Sequence, residues 1–281
     1  MAGVVSRRSF LMTGSAVIVP GLAAGAQQSG SGGPAEPVRA AGGPSATFPT
    51  QDPDLVREMV TVAHGNVKRV KELVDRQPTL AGAAWDWGFG DWENALGAAS
   101  HVGSREIAEY LMAHGARPTI FSAAMLGQLD VVKAFVAAAP GVQRIHGPHG
   151  ITLLAHAKAG GERANAVATY LEGLGDADPR LVSEPLSEED IAALTGTYAF
   201  GPGPTERIAI ATSTGLRGQR GQLGFTRAKA MMRDLAHRGR REFSPAGAPE
   251  VRITFTVEGG RAVALNVHDP DLVLTARRVS E

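Results

Sequence analysis

Nine consecutive residues, WDWGFGDWE, hold all three tryptophans of this 281-residue chain. The side chains that could act here are aromatic or acidic: Trp85, Asp86, Trp87, Phe89, Asp91, Trp92 and Glu93. Large rigid rings give contact area at low entropic cost and often dominate binding interfaces, so the stretch predicts a partner-binding loop. The alternative is that the loop folds back and its indoles fill the interior. Both interpretations stay open.

The acids of this loop suggest the best enzymatic hypothesis that the chain offers. Asp86, Asp91 and Glu93 could work as paired carboxylates on a sugar ring stacked against tryptophan. A flexible glycine-containing loop holds catalytic geometry poorly, which weakens this hypothesis.

A second group of chemically competent residues is the histidine-containing segment IHGPHGITLLAH. His146, His149 and His156 could place imidazoles near one metal ion, with the loop acids completing the site. Histidines are also routine in loops and inner helices without any metal, so no cofactor is predicted. His64, His101 and His114 lie at or near helix ends, where a protonatable group suits the helix dipole.

Other chemistry is excluded or unsupported. The chain has no cysteine, which excludes disulfides, thiolate catalysis and cysteine-ligated metals. It also lacks the common nucleophile, phosphate-loop and dinucleotide motifs. We therefore do not predict an enzyme.

The N-terminus resembles a twin-arginine export signal. The segment SRRSFL carries Arg7 and Arg8, a short apolar run follows, and a small-residue cleavage site ends at Ala26. The resemblance implies a signal peptide over residues 1–26 and a periplasmic or secreted protein. Residues 27–50 are rich in Gly, Ser, Pro and Ala and predict a disordered linker.

The elements that carry the loop and the histidines are predicted from three similar segments, GNVKRVKELVD, GSREIAEYLMA and GQLDVVKAFVA. Each has one apolar helical stripe, and a shorter helix of small residues precedes each glycine. The pattern resembles ankyrin repeats, which implies an α-solenoid of about four helix pairs over residues 51–178 and binding through loops and inner helices. The defining glycines are 38, 24 and 34 residues apart, and the aromatic loop lies in the longest interval.

In the C-terminal part, apolar residues recur at every second position, as in β-strands. After a linker with a short helix over residues 179–194, alternating segments such as VRITFTVE and RAVALNVH predict about seven or eight strands over residues 195–281. We expect a small antiparallel sheet or partial barrel and an α+β fold overall. The region resembles the accessory β-domain of bacterial penicillin-recognising serine hydrolases, a likeness that transfers no active-site residue.

The net charges of the helical and β-strand regions have opposite signs. Residues 51–194 hold 12 basic and 19 acidic side chains, net −7, and residues 195–281 hold 13 and 8, net +5. The basic excess over residues 217–241 could meet a polyanion or an anionic lipid surface. Outward arginines on a half-exposed sheet, or docking against the acidic helical half, are favoured instead, and no nucleic-acid partner is predicted.

Together these features predict an exported repeat protein that binds an unidentified protein or peptide partner, with no membrane span in the mature chain. The alternative is a hydrolase or ligand-sequestering protein whose pocket lies between the helices and the β-domain.

Overall fold

The computed structural model describes residues 47–179, 183–213, 222–228, 230–270 and 272–279. The predicted export signal, including Arg7, Arg8 and Ala26, and most of the predicted linker lie outside these residues. Residues 44–281 form one compact unit. Among the described residues, no helix combines the length and apolarity needed to cross a bilayer.

The first half of the described chain is helical. Its helices are α1 (Pro53–Val62), α2 (Val67–Arg76), α3 (Ala95–His101), α4 (Arg105–Ala113), α5 (Ile120–Met125), α6 (Leu129–Ala138), α7 (Leu153–Ala159) and α8 (Asn165–Leu174). A ninth, α9 (Glu188–Leu194), precedes the strands. Side-chain caps fix several starts: Asp52 accepts from the backbone of Asp54 at α1, and Thr119 and Ser122 form a capping box at α5.

Four of these helices form an inner row. α1 contacts α3, α3 contacts α5, and α5 contacts α7, while α2 packs on α4 and α6 on α8. The inner helices α3 and α5 consist largely of small buried residues, which lets neighbouring backbones approach closely. The ends of α3 and α7 lie in such close contact that a Cβ at Gly103 would stand 2.1 Å from the carbonyl oxygen of Ala159.

The predicted ankyrin-type solenoid is wrong: the structure does not indicate four ankyrin repeats. Among the described residues, the only β-hairpin of the helical half follows α2, α4 runs to α5 through a short irregular link, and α6 reaches α7 through two 3-10 turns. Apolar periodicity specifies which helix face is buried, but it does not specify a repeating connection. In the segment GQLDVVKAFVA, the apolar stripe is only partly buried, since Phe135 is 41% exposed.

The aromatic stretch forms the hairpin that follows α2. Strand β1 (Ala84–Asp86) pairs antiparallel with β2 (Trp92–Asn94), and β2 runs directly into α3. Trp85 and Trp87 pack against the helical core, and Phe89 at the tip packs against the core of the C-terminal half. The hairpin therefore lies between the two halves, with part of its aromatic surface buried.

The C-terminal half is a closed barrel of eight antiparallel strands, which corrects the expected small antiparallel sheet or partial barrel. The strands are β3 (Gly196–Ala199), β4 (Arg207–Ser213), β5 (Gln222–Arg227), β6 (Arg233–His237), β7 (Glu242–Pro245), β8 (Arg252–Glu258), β9 (Arg261–Asp269) and β10 (Leu272–Arg278). Consecutive strands pair, and β10 closes the barrel on β3, with Arg277 opposite Ala199. The predicted hairpin of β8 and β9 is confirmed.

The barrel interior is filled by side chains. Tyr198, Phe243 and Phe255 meet edge to face, with Tyr198 and Phe243 fully buried. Arg278 lies over the Tyr198 ring and donates to the carbonyl oxygens of Ala193 and Ala262. The barrel is therefore a packed core, and the chemistry must be sought outside it.

The two halves meet around the hairpin tip. The rings of Phe89 and Phe225 are 5.3 Å apart in an edge-to-face contact. Gly247, in the turn after β7, lies against Asp91, and a Cβ there would stand 2.7 Å from the Asp91 Cγ. These contacts hold Asp91 and its neighbours at the junction of helices and barrel.

Candidate metal centre

A carboxylate and three imidazoles converge beneath the hairpin. Glu93 on β2 has no solvent exposure, and its neighbours are His64 in the turn after α1, His101 at the end of α3, and His149 in the 3-10 turn Pro148–Gly150. Glu93 Oε2 lies 3.4 Å from His149 Nε2 and 3.6 Å from His64 Nε2. The ligand atoms of these three residues all fall within 4.8 Å of one another.

These separations match those of a metal coordination sphere. Ligand atoms bound to zinc at about 2.0–2.1 Å in tetrahedral geometry stand about 3.4 Å apart. The two distances from Glu93 Oε2 are 3.4 and 3.6 Å, longer than good charge-assisted hydrogen bonds. Two of the three separations are therefore close to those expected around one ion, and the third lies within 4.8 Å.

The two imidazoles also present the nitrogen that such an ion requires. The Nδ1 of His149 lies 2.8 Å from Asp91 Oδ2, and that of His64 lies 3.1 Å from the carbonyl oxygen of Val60. In a neutral ring, an acceptor at Nδ1 favours the tautomer with its proton there and leaves the Nε2 lone pair to bind a metal. Arg233 Nη1 also lies 3.3 Å from the His149 Nδ1. Both Nε2 atoms face the same carboxylate oxygen.

Asp91 connects this cluster to the barrel. Its Oδ1 accepts from the backbone N–H of His149 at 2.9 Å, and its Oδ2 pairs with Arg233 Nη2 at 2.5 Å. Arg233 begins β6, is buried, and also donates to the carbonyl of Ala246. His149 adopts φ +60°, a conformation that a residue other than glycine keeps only when its surroundings impose it. Asp91 thus fixes both the backbone and the ring of His149.

Further polar atoms in the cluster make no hydrogen bond to any described residue. They are Glu93 Oε1, His101 Nδ1 and His156 Nε2, all of them buried. Glu93 Oε1 and His101 Nδ1 are 3.3 Å apart without hydrogen-bond alignment. Buried polar atoms without partners cost free energy, and a bound ion would provide the missing interaction.

The electrostatics of the cluster are strongly coupled. Burial alone would raise the pKa of Glu93 and Asp91, but the neighbouring His149 and, for Asp91, Arg233 lower both below their usual values. Burial also opposes protonation of His149, yet the two carboxylates raise its pKa to about 9. Burial lowers the pKa of His101 to about 4, so this imidazole is neutral at pH 7.

The predicted partner-binding residues are divided between the interior and the surface. Trp87 donates from Nε1 to Glu93 Oε2 at 2.7 Å, and Asp86 accepts from the backbone of Gly88. Asp91 and Glu93 are buried in the cluster. Trp92 is 65% exposed and is the aromatic side chain of the hairpin that is most open to solvent.

The three candidate metal histidines of the sequence are also divided. His149 lies in the cluster, and His156 lies beside it, its ring 6.2 Å from that of His101. His146 is exposed and its Nε2 lies 2.6 Å from the carbonyl oxygen of Pro179, outside the cluster.

Sequence reasoning missed His64 and His101 as neighbours of Glu93. Both were assigned to helix ends, where they do lie, but α1 and α3 are adjacent inner helices that end on the same side. The sequence did contain one indication of this contact, because the segments that form α1 and α3 precede and follow the acidic loop in the chain. His114, at the end of α4, is exposed and has no carboxylate partner among the described residues.

A solvent-open cleft lies on the other side of Asp91. Its lining includes Trp92, Asn94, Phe121, His146 and Pro148. The alternation of β2 therefore directs Glu93 into the cluster and Trp92 toward the cleft.

Comparison with known protein families finds no family that matches the chain, and a search among curated proteins finds no similar sequence.

Proposed function

We propose that this protein binds one divalent transition-metal ion through His64, Glu93 and His149. The observation that carries the proposal is the pair of imidazole Nε2 atoms, 3.4 and 3.6 Å from one buried carboxylate oxygen, with each Nδ1 already held by an acceptor. Imidazole and carboxylate ligands without sulfur suit zinc and its neighbours among the first-row metals. We propose zinc because the two separations from Glu93 Oε2, 3.4 and 3.6 Å, are close to those between ligands of a tetrahedral zinc ion.

The charges of the cluster accommodate an ion but do not select it over the metal-free network. Without an ion, two carboxylates face Arg233 and a protonated His149, so the cluster is neutral. A divalent ion that replaces the His149 proton leaves one net positive charge on the ion, the two carboxylates and Arg233 together. The metal-free network is the competing explanation of the cluster, and it leaves Glu93 Oε1 and His101 Nδ1 unpaired among the described residues.

The test is zinc binding by chelator-treated protein in competition with a chromophoric chelator. We expect one zinc ion per chain, and an affinity at least about 100-fold weaker for Glu93→Gln. His146→Gln is the matched control, because its imidazole lies outside the cluster. Equal zinc affinity in wild type and Glu93→Gln would refute the proposal.

A ligand variant could also lose its fold, because Glu93 is fully buried. His64→Gln avoids this problem, since the His64 side chain is 32% exposed and lies at the edge of the cluster. A circular dichroism spectrum identical to wild type, together with weakened zinc binding, supports direct ligation. Unchanged zinc binding by a folded His64→Gln counts against it.

Partner binding through the hairpin is a second candidate, supported by Trp92. This indole is 65% exposed beside the cleft, whereas Trp85 packs against the helical core. An exposed tryptophan next to a concave surface is typical of binding hot spots. We expect Trp92→Ala, but not a destabilisation-matched Trp85→Ala, to abolish capture of a partner that binds wild type.

A further inference from the structure

Two of the three proposed ligands, His64 and His149, face one oxygen of the Glu93 carboxylate, and a further imidazole faces the other oxygen. His101 Nδ1 lies 3.3 Å from Glu93 Oε1, whereas His64 and His149 face Oε2. The His101 side chain is 7% exposed, and within the described residues its Nδ1 has no hydrogen-bond partner. Its position is therefore available to an ion held by this carboxylate.

The distances between the ring centroids test independently whether His101 can bind the same ion as His64 and His149. Imidazoles bound to one tetrahedral ion, with metal–nitrogen bonds of about 2.0–2.1 Å, have ring centroids about 5.2 Å apart. The centroid of His101 lies 4.8 Å from that of His64 and 5.6 Å from that of His149, and the third side of the triangle is 6.4 Å. The two separations that involve His101 are close to the tetrahedral value, whereas the His64–His149 separation exceeds it by about 1.2 Å.

We propose that His101 is the fourth protein ligand, binding through Nδ1, so that the ion is enclosed by three imidazoles and one carboxylate. The inference rests on the proposed function and adds the role of the ion. Four protein ligands leave no position for water or substrate, which is the property of structural rather than catalytic zinc sites. The ion then joins the ends of α1 and α3, strand β2 and the His149 turn.

The competing occupant of the fourth position is a water molecule. A three-ligand site with bound water exchanges that water for small anions, whereas a closed site does not. Cobalt(II) reports the difference, because its visible bands change in position and intensity with coordination number and with each new ligand.

The experiment is azide titration of the cobalt(II) protein, followed by absorption. We expect wild type to give the intense visible bands of a four-coordinate ion, unchanged by azide. His101→Ala should bind cobalt about 10–100-fold more weakly, and its bands should shift on adding azide or imidazole, which enter the vacated position. His114→Ala is the matched control, because this exposed histidine ends α4 with its Nδ1 on the carbonyl of Tyr110.

The outcomes separate the two proposals. Cobalt binding with azide-sensitive bands in wild type overturns the assignment of His101 and leaves the metal centre standing. The same holds if His101→Ala keeps the wild-type affinity and spectrum. No cobalt binding by wild type overturns the metal centre, and this inference with it. The azide titration of wild type needs no variant, so it decides even if His101→Ala fails to fold.

Discussion

Asp91 is the residue on which most of the cluster depends, although it is not a proposed ligand. One carboxylate accepts from the backbone and the ring of His149 and pairs with Arg233 of the barrel. A carboxylate on the far nitrogen of a metal-binding imidazole fixes its tautomer and orientation and raises its basicity. The same carboxylate neutralises a buried arginine.

We therefore predict that Asp91→Asn weakens zinc binding about 10–100-fold without changing the stoichiometry. An amide is a poorer acceptor for the His149 ring and leaves Arg233 without a counter-charge, so the melting temperature should fall as well. Competition titration measures the affinity. Asp86→Asn on the same hairpin is the control, since Asp86 accepts only from the adjacent Gly88 turn among the described residues. Wild-type affinity in Asp91→Asn would contradict the role assigned here.

At the scale of elements, the sequence predicted helices and strands better than their connections. The alternating segments VRITFTVE and RAVALNVH form β8 and β9, and the pairing of these two strands follows from the Gly259-Gly260 turn. Closure of the barrel depends on β10 meeting β3, some eighty residues apart, and alternation holds no information on that pairing.

The residues of the candidate site were likewise only partly predictable from the sequence. The sequence identified Glu93 and His149 as possible metal residues, but it could not bring His64 and His101 to them. Their meeting depends on the packing of α1 against α3 and on a hairpin that turns inward. The uneven spacing of the glycines was a warning against a regular repeat, because a solenoid needs equivalent connections between its units.

Gly103 tests how closely the helices pack. Its φ is +75°, and a Cβ would stand 2.1 Å from the carbonyl oxygen of Ala159. Gly115 follows α4 with φ +94° but has no described atom within 4 Å of its added Cβ. We predict that Gly115→Ala costs about 1 kcal/mol, from backbone strain alone.

Gly103→Ala should cost about 1–3 kcal/mol more than Gly115→Ala, because the added methyl group also forces α3 and α7 apart. Urea unfolding followed by circular dichroism measures both variants. Equal losses of unfolding free energy would show that the two inner helices are not in the close contact described.

At the scale of the whole molecule, the metal centre lies where the helices meet the barrel. Phe89 and Asp91 of one hairpin contact Phe225 and Arg233 of the barrel, while Glu93 of the same hairpin belongs to the centre. An ion bound to Glu93 therefore stabilises an element that both halves share. The sequence predicted two separate domains, and this shared hairpin gives a physical reason to expect that they unfold together.

Calorimetry of the chain with and without zinc tests that expectation. At a free zinc concentration of 100 times Kd, the ion adds about 2.7 kcal/mol to the free energy of unfolding. For a unit of this size, each kcal/mol raises the melting temperature by about 2–4 °C. We predict one transition that moves upward as a whole, and no movement in Glu93→Gln. Two transitions, of which zinc moves only the helical one, would mean that the barrel folds independently and that the hairpin does not couple the halves.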